Sequence, residues 1–442
     1  MRNKNLLILT TEMALILLFL VSCTANAKLT NVPMIPAKTI EPTNTVVLQI
    51  PTETEFVSPT NTVPYPTTTP FPIPAGKLAF SDGSPNLDGS LKILDIKSNG
   101  VTKIVGARQK IDGVEISLFS PSITWSPDGH WIAFVAEDIR ANKWIYAYYD
   151  IYIAKSDGSQ IKRLTFSPSH AKSSISWSPD GKYILTNMDG ETGISDIYLI
   201  NAKNGEISRR LTVSTNNGMN KSKWSPDGKR IAFTFGNRLF IMDADGKNRK
   251  LLKDFSPGYP MMLSWSDDGS KIILGVDNKI NGHCSNMFAI NPDGSDFSQI
   301  TNNAGYNYSP SWSDGKFFIF SGTSFICDTI PKSGNIYISD IRGNTQELLL
   351  NIDANSSIAW SPLPALVIGN NYAITELSDN LNLHSSASLT SDVLKKLKVG
   401  DIFTILDGPV DTDDYYWWKI RTTDGTEGWI VEMAYWYKLL NP

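Results

Sequence analysis

Six times along this chain a tryptophan heads nearly the same phrase. It reads Trp125-Ser-Pro-Asp-Gly, recurs at Trp177 and Trp224, changes to Trp265-Ser-Asp-Asp-Gly and Trp312-Ser-Asp-Gly, and shortens to Trp360-Ser-Pro. Successive tryptophans lie 52, 47, 41, 47 and 48 residues apart. That spacing is the length of one four-stranded propeller blade. A single repeat of this size cannot bury its own apolar faces, so the repeats must stack on one another.

The stretch from Trp177 serves as a template. Ser174–Trp177 reads as a first strand, Ser178-Pro-Asp-Gly181 as a turn, Tyr183–Thr186 as a second strand, Asp196–Ile200 as a third and Ile207–Thr212 as a fourth. Proline pre-sets φ at the second turn position, and glycine accepts the left-handed conformation that closes the turn. Third strands recur as Asp150-Ile-Tyr, Leu239-Phe-Ile, Met287-Phe-Ala and Asn335-Ile-Tyr, and fourth strands as Arg163-Leu-Thr, Arg210-Leu-Thr, Lys250-Leu-Leu and Gln299-Ile-Thr.

The five repeats headed by Trp125, Trp177, Trp224, Trp265 and Trp312 carry all four strands. Ahead of them, Lys77-Leu-Ala-Phe, Leu91-Lys-Ile-Leu and Val101-Thr-Lys-Ile supply strands two to four without a first. Behind them, Ser357-Ile-Ala-Trp360 is a first strand without a blade. Joining these leftovers closes a six-bladed ring and buries the edges an open array would expose. The expected fold is all-β, a six-bladed propeller over residues 76–368 followed by a small barrel over 369–442. A seventh blade built on Ala365-Leu-Val-Ile would lack strands.

The repeat resembles the TolB-type, WD-repeat-like propellers, whose signature is the Trp-Ser-Pro-Asp-Gly turn followed by an Ile-Ala-Phe strand. Ile132-Ala-Phe and Ile231-Ala-Phe match that strand. Such propellers serve as protein-binding lids, cell-surface modules and gating domains, so the likeness implies a fold and leaves function open. The C-terminal piece resembles a bacterial SH3-like domain through Leu381-Asn-Leu-His, the Gly400-Asp turn, Trp418-Lys-Ile-Arg and Gly428-Trp-Ile. His384 stands where that family usually carries arginine, and Ser385-Ser replaces its usual Gly-Pro. Trp418 and Trp429 match the family's structural tryptophans, which leaves Tyr416 and Trp417 as the expected surface-facing pair for a cell-wall peptide or glycan.

The N-terminus reads as a targeting segment over residues 1–22. Arg2 and Lys4 precede an apolar core, Met13–Val21, which is too short to span a bilayer and fits a signal peptide. It ends Leu20-Val-Ser-Cys23, which resembles the bacterial lipoprotein box, and that resemblance implies lipid attachment at Cys23. Residues 23–75 form a Pro/Thr-rich linker. Its Pro51–Pro74 stretch is expected to be extended, reaching roughly 75 Å. The chain is therefore expected to be extracytoplasmic and held to a membrane through its lipid.

The formal net charge is −4, and charged residues are 19% of the chain. No basic cluster interleaves with aromatics, which argues against nucleic acid. There is no Gly-x-Ser-x-Gly, no phosphate-binding loop and no His-Glu-x-x-His. The four histidines, His130, His170, His283 and His384, show no metal-ligand spacing. No catalytic residue, metal or cofactor is expected. His130, at the end of its turn, is expected to be solvated. Asp243-Ala-Asp-Gly reads as a turn rather than a calcium loop, and the repeated tryptophans read as packing between blades.

Blade geometry sharpens the expected binding surface. Loops joining strands two and three share one face with the blade-to-blade connections, opposite the Ser-Pro-Asp-Gly turns. Cys284 and Cys327 occupy equivalent loops of consecutive blades and are expected to form a disulfide in an exported protein. The same face gathers Trp144, Tyr146, Tyr148, His170, Tyr259, Tyr306 and Tyr308, polar-tipped aromatics suited to a peptide or glycan. The expected function is binding or scaffolding at the cell envelope, with an envelope protein, peptidoglycan or another glycan as partner. The alternatives are a propeller-type carbohydrate-active enzyme, which needs acidic residues converging at the central channel, and a TolB-like member of an envelope protein complex.

Overall fold

The computed structural model describes residues 76–440 apart from 82–88, 97, 119–121, 140–148, 167–171, 190–193, 216–220, 278–283, 303–304, 313–315, 324–333, 353–356, 362–365, 367, 414 and 434–435. The expected targeting segment, Cys23 and the expected linker lie outside these residues. Among the described residues no helix is long and apolar enough to cross a membrane.

Up to Trp360 the described residues form six antiparallel sheets. The template repeat gives the sheet Lys172–Trp177, Tyr183–Asp189, Ser195–Asn201 and Ile207–Arg210, hydrogen-bonded in that order. Its two middle strands are buried on both faces, which is what stacking between neighbouring blades requires. The repeats headed by Trp224, Trp265 and Trp312 follow the same order. The first strands of all six sheets touch their neighbours around a full circle.

Closure takes the form the leftover strands imply. Lys77–Ser81 pairs with Ile358–Trp360, placing Leu78 opposite Trp360, Ala79 opposite Ala359 and Phe80 opposite Ile358. Leu78, Phe80, Ile358 and Trp360 pack with Ile319, Ile336 and Ile338 of the preceding blade in one apolar cluster. Gly76 lies flat against the Trp360 indole, where a Cβ would come within 2.8 Å of Nε1.

The blade headed by Trp125 departs from the template. It carries an extra hairpin, Arg108–Ile111 and Val114–Ser117, whose second strand pairs with the far end of Trp131–Asp138. Asp112-Gly113 makes its turn, both with positive φ. Ile111, Val114 and Ile116 extend the core between this blade and the closing one.

Two hydrogen-bond devices hold the ring. Each Ser-Pro-Asp-Gly turn is tied by its own side chains: Ser178 Oγ donates to Asp180 at 2.7 Å and accepts from the Tyr183 amide at 2.9 Å, and Gly181, at φ +74°, closes the bend. Between blades, a hydroxyl one residue before each of several tryptophans accepts the backbone N–H of the next blade's tryptophan. Thr124 takes Trp177, Ser176 takes Trp224, Ser264 takes Trp312 and Ser311 takes Trp360, at 3.0 to 3.4 Å. Each such bond contributes about 0.5–1.5 kcal/mol.

After the ring comes one seven-stranded sheet that curls on itself. Its core is Tyr372, Leu383, Phe403, Trp418, Ile420, Ile430 and Tyr437. Leu366, in the run that would have had to start a seventh blade, is buried in this cluster.

Candidate functional site

The two ends of each blade present different chemistry. At the end away from the tryptophan turns, three of the expected binding residues come together. Tyr306 and Tyr308 flank Asn307, so strand alternation sends them to one side, and their rings stack at 5.9 Å and 15°. Tyr259 approaches from the preceding blade. Burial raises the Tyr308 phenol above its ordinary range, and Tyr259 adds to the rise. Burial, then Tyr308 and Asp277, raise Tyr306 well above its range. All three are half-buried, so they form a packed aromatic ledge with one side open. Asn307 fixes the ledge: it is fully buried, its backbone N–H donates to Ser285 Oγ and its side-chain amide to the Ser285 carbonyl, both at 2.8 Å.

Trp144, Tyr146, Tyr148 and His170 lie outside the described residues, as does Cys327. Cys284 is disulfide-bonded. Among the described residues no three His, Cys, Asp or Glu side chains gather as a metal site. Asp243 and Asp245 are held in their turn by Asn248 Nδ2 and the Lys247 amide.

At the tryptophan-turn end, three expectations are corrected. His130 is 3% exposed, not solvated, because Tyr416 of the barrel lies over it with ring centroids 3.6 Å apart. Tyr416 is accordingly part of the contact between propeller and barrel and not an open ligand surface. Trp417 is fully buried. Its indole donates to the Thr412 carbonyl at 3.0 Å, and His384 packs edge-on against it at 5.2 Å. Trp418, on the opposite face of the same strand, fills the barrel core, so the strand is covered on both sides at these two residues.

Sequence reasoning passed over Glu432, which organises that contact. It is 4% exposed and accepts the Trp418 indole N–H at 2.8 Å. Burial pushes its carboxyl up to about 7, against the pull of Trp418 and the Leu366 amide and with help from Asp128. Burial likewise raises Asp128. Met433 lies beside the turn at Gly181, where an added Cβ would meet its Cε at 3.8 Å, and Lys229 reaches Glu376 at 3.4 Å. The barrel therefore rests on the tryptophan turns of three consecutive blades.

A ring of antiparallel blades built on tryptophan turns, carrying a barrel on its turn face, defines a propeller with an appended SH3-type module. A family model described as the TolB beta propeller domain matches residues 88–253 and 147–375, and one described as the bacterial SH3 domain matches residues 379–439. The chain belongs to the TolB β-propeller family and ends in a bacterial SH3 domain. Among solved structures it is similar to TolB from Acinetobacter baumannii, with a TM-score of 0.50 at 19% identity, covering 65% of this chain and 66% of that one. It is also similar to a protein assigned as TolB from Agrobacterium tumefaciens, at 0.47 and 17%, covering 65% and 99%. An oligogalacturonate lyase from Vibrio parahaemolyticus follows at 0.40 and 11%, covering 59% and 71%. These likenesses speak to fold alone. No curated protein matches the chain.

Proposed function

We propose that this chain is a non-catalytic binding or scaffolding lipoprotein of the cell envelope, anchored through Cys23. In this reading the linker carries the folded part away from the membrane, and the partner is an envelope protein. The observation that carries it is the division of labour between the two blade ends. The barrel occupies the turn face through His130, Tyr416 and Glu432. The opposite end keeps the half-open ledge of Tyr259, Tyr306 and Tyr308. Stacked tyrosines supply large apolar area with polar tips at low entropic cost, which suits a protein or glycan surface.

The test uses the full chain, affinity-captured from solubilised envelopes. An envelope protein should co-purify with it and be lost from a Tyr306→Ala/Tyr308→Ala variant that keeps the wild-type unfolding temperature. Equal recovery with that variant removes the ledge from the reading, and retention by purified peptidoglycan alone moves the partner to the cell wall. Anchoring has its own readout: Cys23→Ser should shift the chain from the membrane to the soluble fraction and abolish fatty-acid labelling.

A further inference from the structure

The central channel of the ring contains a feature that neither the ledge nor the barrel uses. Its mouth on the turn side is a cavity of about 130 Å³ lined by all six repeat tryptophans and the residues before them. In five blades the residue before the tryptophan is small: Thr124, Ser176, Ser264, Ser311 and Ala359. In the remaining blade it is Lys223. A cation has thus been placed in a ring that otherwise consists of one alanine and four hydroxyls already committed to neighbouring blades.

Lys223 stands in a poor place for a charge. Its ammonium donates to the Ile175 carbonyl at 3.0 Å, which leaves two of its three donors. Among the described residues neither Lys223 nor Lys221, two positions away on the same strand face, forms an ion pair. Burial and the nearby Lys221 charge lower Lys223 to about 8. Burial also lowers Lys221. Both lysines are half-buried, and a cation there with no acidic partner favours an anion beside it.

Trp125 and Trp265 each donate their indole N–H to the backbone carbonyl one residue before the preceding blade's tryptophan, Ala359 at 3.0 Å and Lys223 at 3.2 Å. Trp177 donates to Gly181. Trp224 and Trp312 do neither: both indole N–H groups are buried without an acceptor, and Trp312 is only 6% exposed. A buried donor left unmade costs about 1–3 kcal/mol. Both indoles line the same cavity as Lys223.

We propose that the turn-side mouth of the channel binds one small carboxylate, with Lys223 as the charge partner. The surrounding tryptophan faces suit a short apolar tail on that carboxylate. Asp267, the one acidic residue of the lining, is engaged in an interaction of its own. Its charge disfavours a doubly charged ligand and so selects carboxylate over phosphate. This site is independent of the lipid anchor and of any protein partner.

Acetate and orthophosphate titrations at constant ionic strength test the proposal, read by the fluorescence of the six lining tryptophans. Wild type should show a saturable change with acetate and a weaker one with phosphate. Lys223→Ser restores the hydroxyl found in three sister blades, so its unfolding temperature should hold or rise while acetate affinity falls about tenfold or more. Lys223→Met, which keeps the stem volume, should do the same if the serine variant fails to fold. Absence of saturation in wild type, or unchanged affinity in both lysine variants, overturns the site. Phosphate binding as tight as acetate overturns the choice of carboxylate.

Discussion

Single side chains decide how the barrel meets the propeller. Glu432 is neutral at low pH in the fold, yet its ordinary value in an unfolded chain is 4.5 against about 7 here. Between those values the folded state holds a proton that the unfolded chain has released, so stability falls as pH rises from 4.5 to 7 and stays low above it. The loss amounts to about 3 kcal/mol. Asp128, raised by burial too, acts in the same direction. Glu432→Gln keeps an acceptor for the Trp418 indole and carries no charge. It should raise the unfolding temperature at pH 8, leave it nearly unchanged at pH 4.5, and flatten the profile between. An unaltered pH profile would show that Glu432 is solvated. This residue was invisible in the sequence, as was the burial of His130. A turn histidine is solvated unless another domain covers it, and nothing near position 130 announces Tyr416.

Within each blade, the repeated phrases carry a second meaning besides strand formation. Asp150, at the start of one third strand, is 1% exposed and accepts from Thr165 Oγ1 at 2.6 Å and from the Arg163 guanidinium. Asp196 does the same with Thr212 and Arg210 in the next blade. The Asp-Ile-Tyr and Arg-Leu-Thr runs are therefore two halves of one clamp that ties the third strand to the exit of the fourth. Asp150→Ala leaves a mostly buried guanidinium and a buried hydroxyl without their acceptor, and should cost about 3–5 kcal/mol in urea unfolding. A loss below 1 kcal/mol would mean Arg163 finds water instead. The strands of this blade were readable from the recurring phrases, but its additional hairpin was not assigned. Asp112-Gly113 between Ile111 and Val114 was the available signal. Trp417 was misjudged because it was assigned to the surface by elimination, and its strand is open to solvent only further along, at Arg421.

For the whole molecule, the ring was the most legible level, since six tryptophan phrases and two unmatched sets of strands admit few arrangements. The channel chemistry was also present in the sequence, in the column of residues before each tryptophan, but Lys223 gains meaning only once those positions converge. The ledge and the covered turn face required the fold, because they depend on which blade ends meet which domain. Closure rests on a short pairing, three residues on each side. Trp360→Ala should remove about 3–5 kcal/mol, with loss of cooperativity in the unfolding of the propeller. Retained stability would show that the ring does not depend on this seam.

That seam also sets a timetable. Leu78 emerges early in synthesis and its partner Trp360 near the end, so the earlier blades must wait with exposed edges until the last strand arrives. Long-range pairing of this kind is slow and leaves waiting intermediates open to wrong partners. Under the proposed export of this chain, the delay is an advantage, because what cannot latch early is still thread when it crosses.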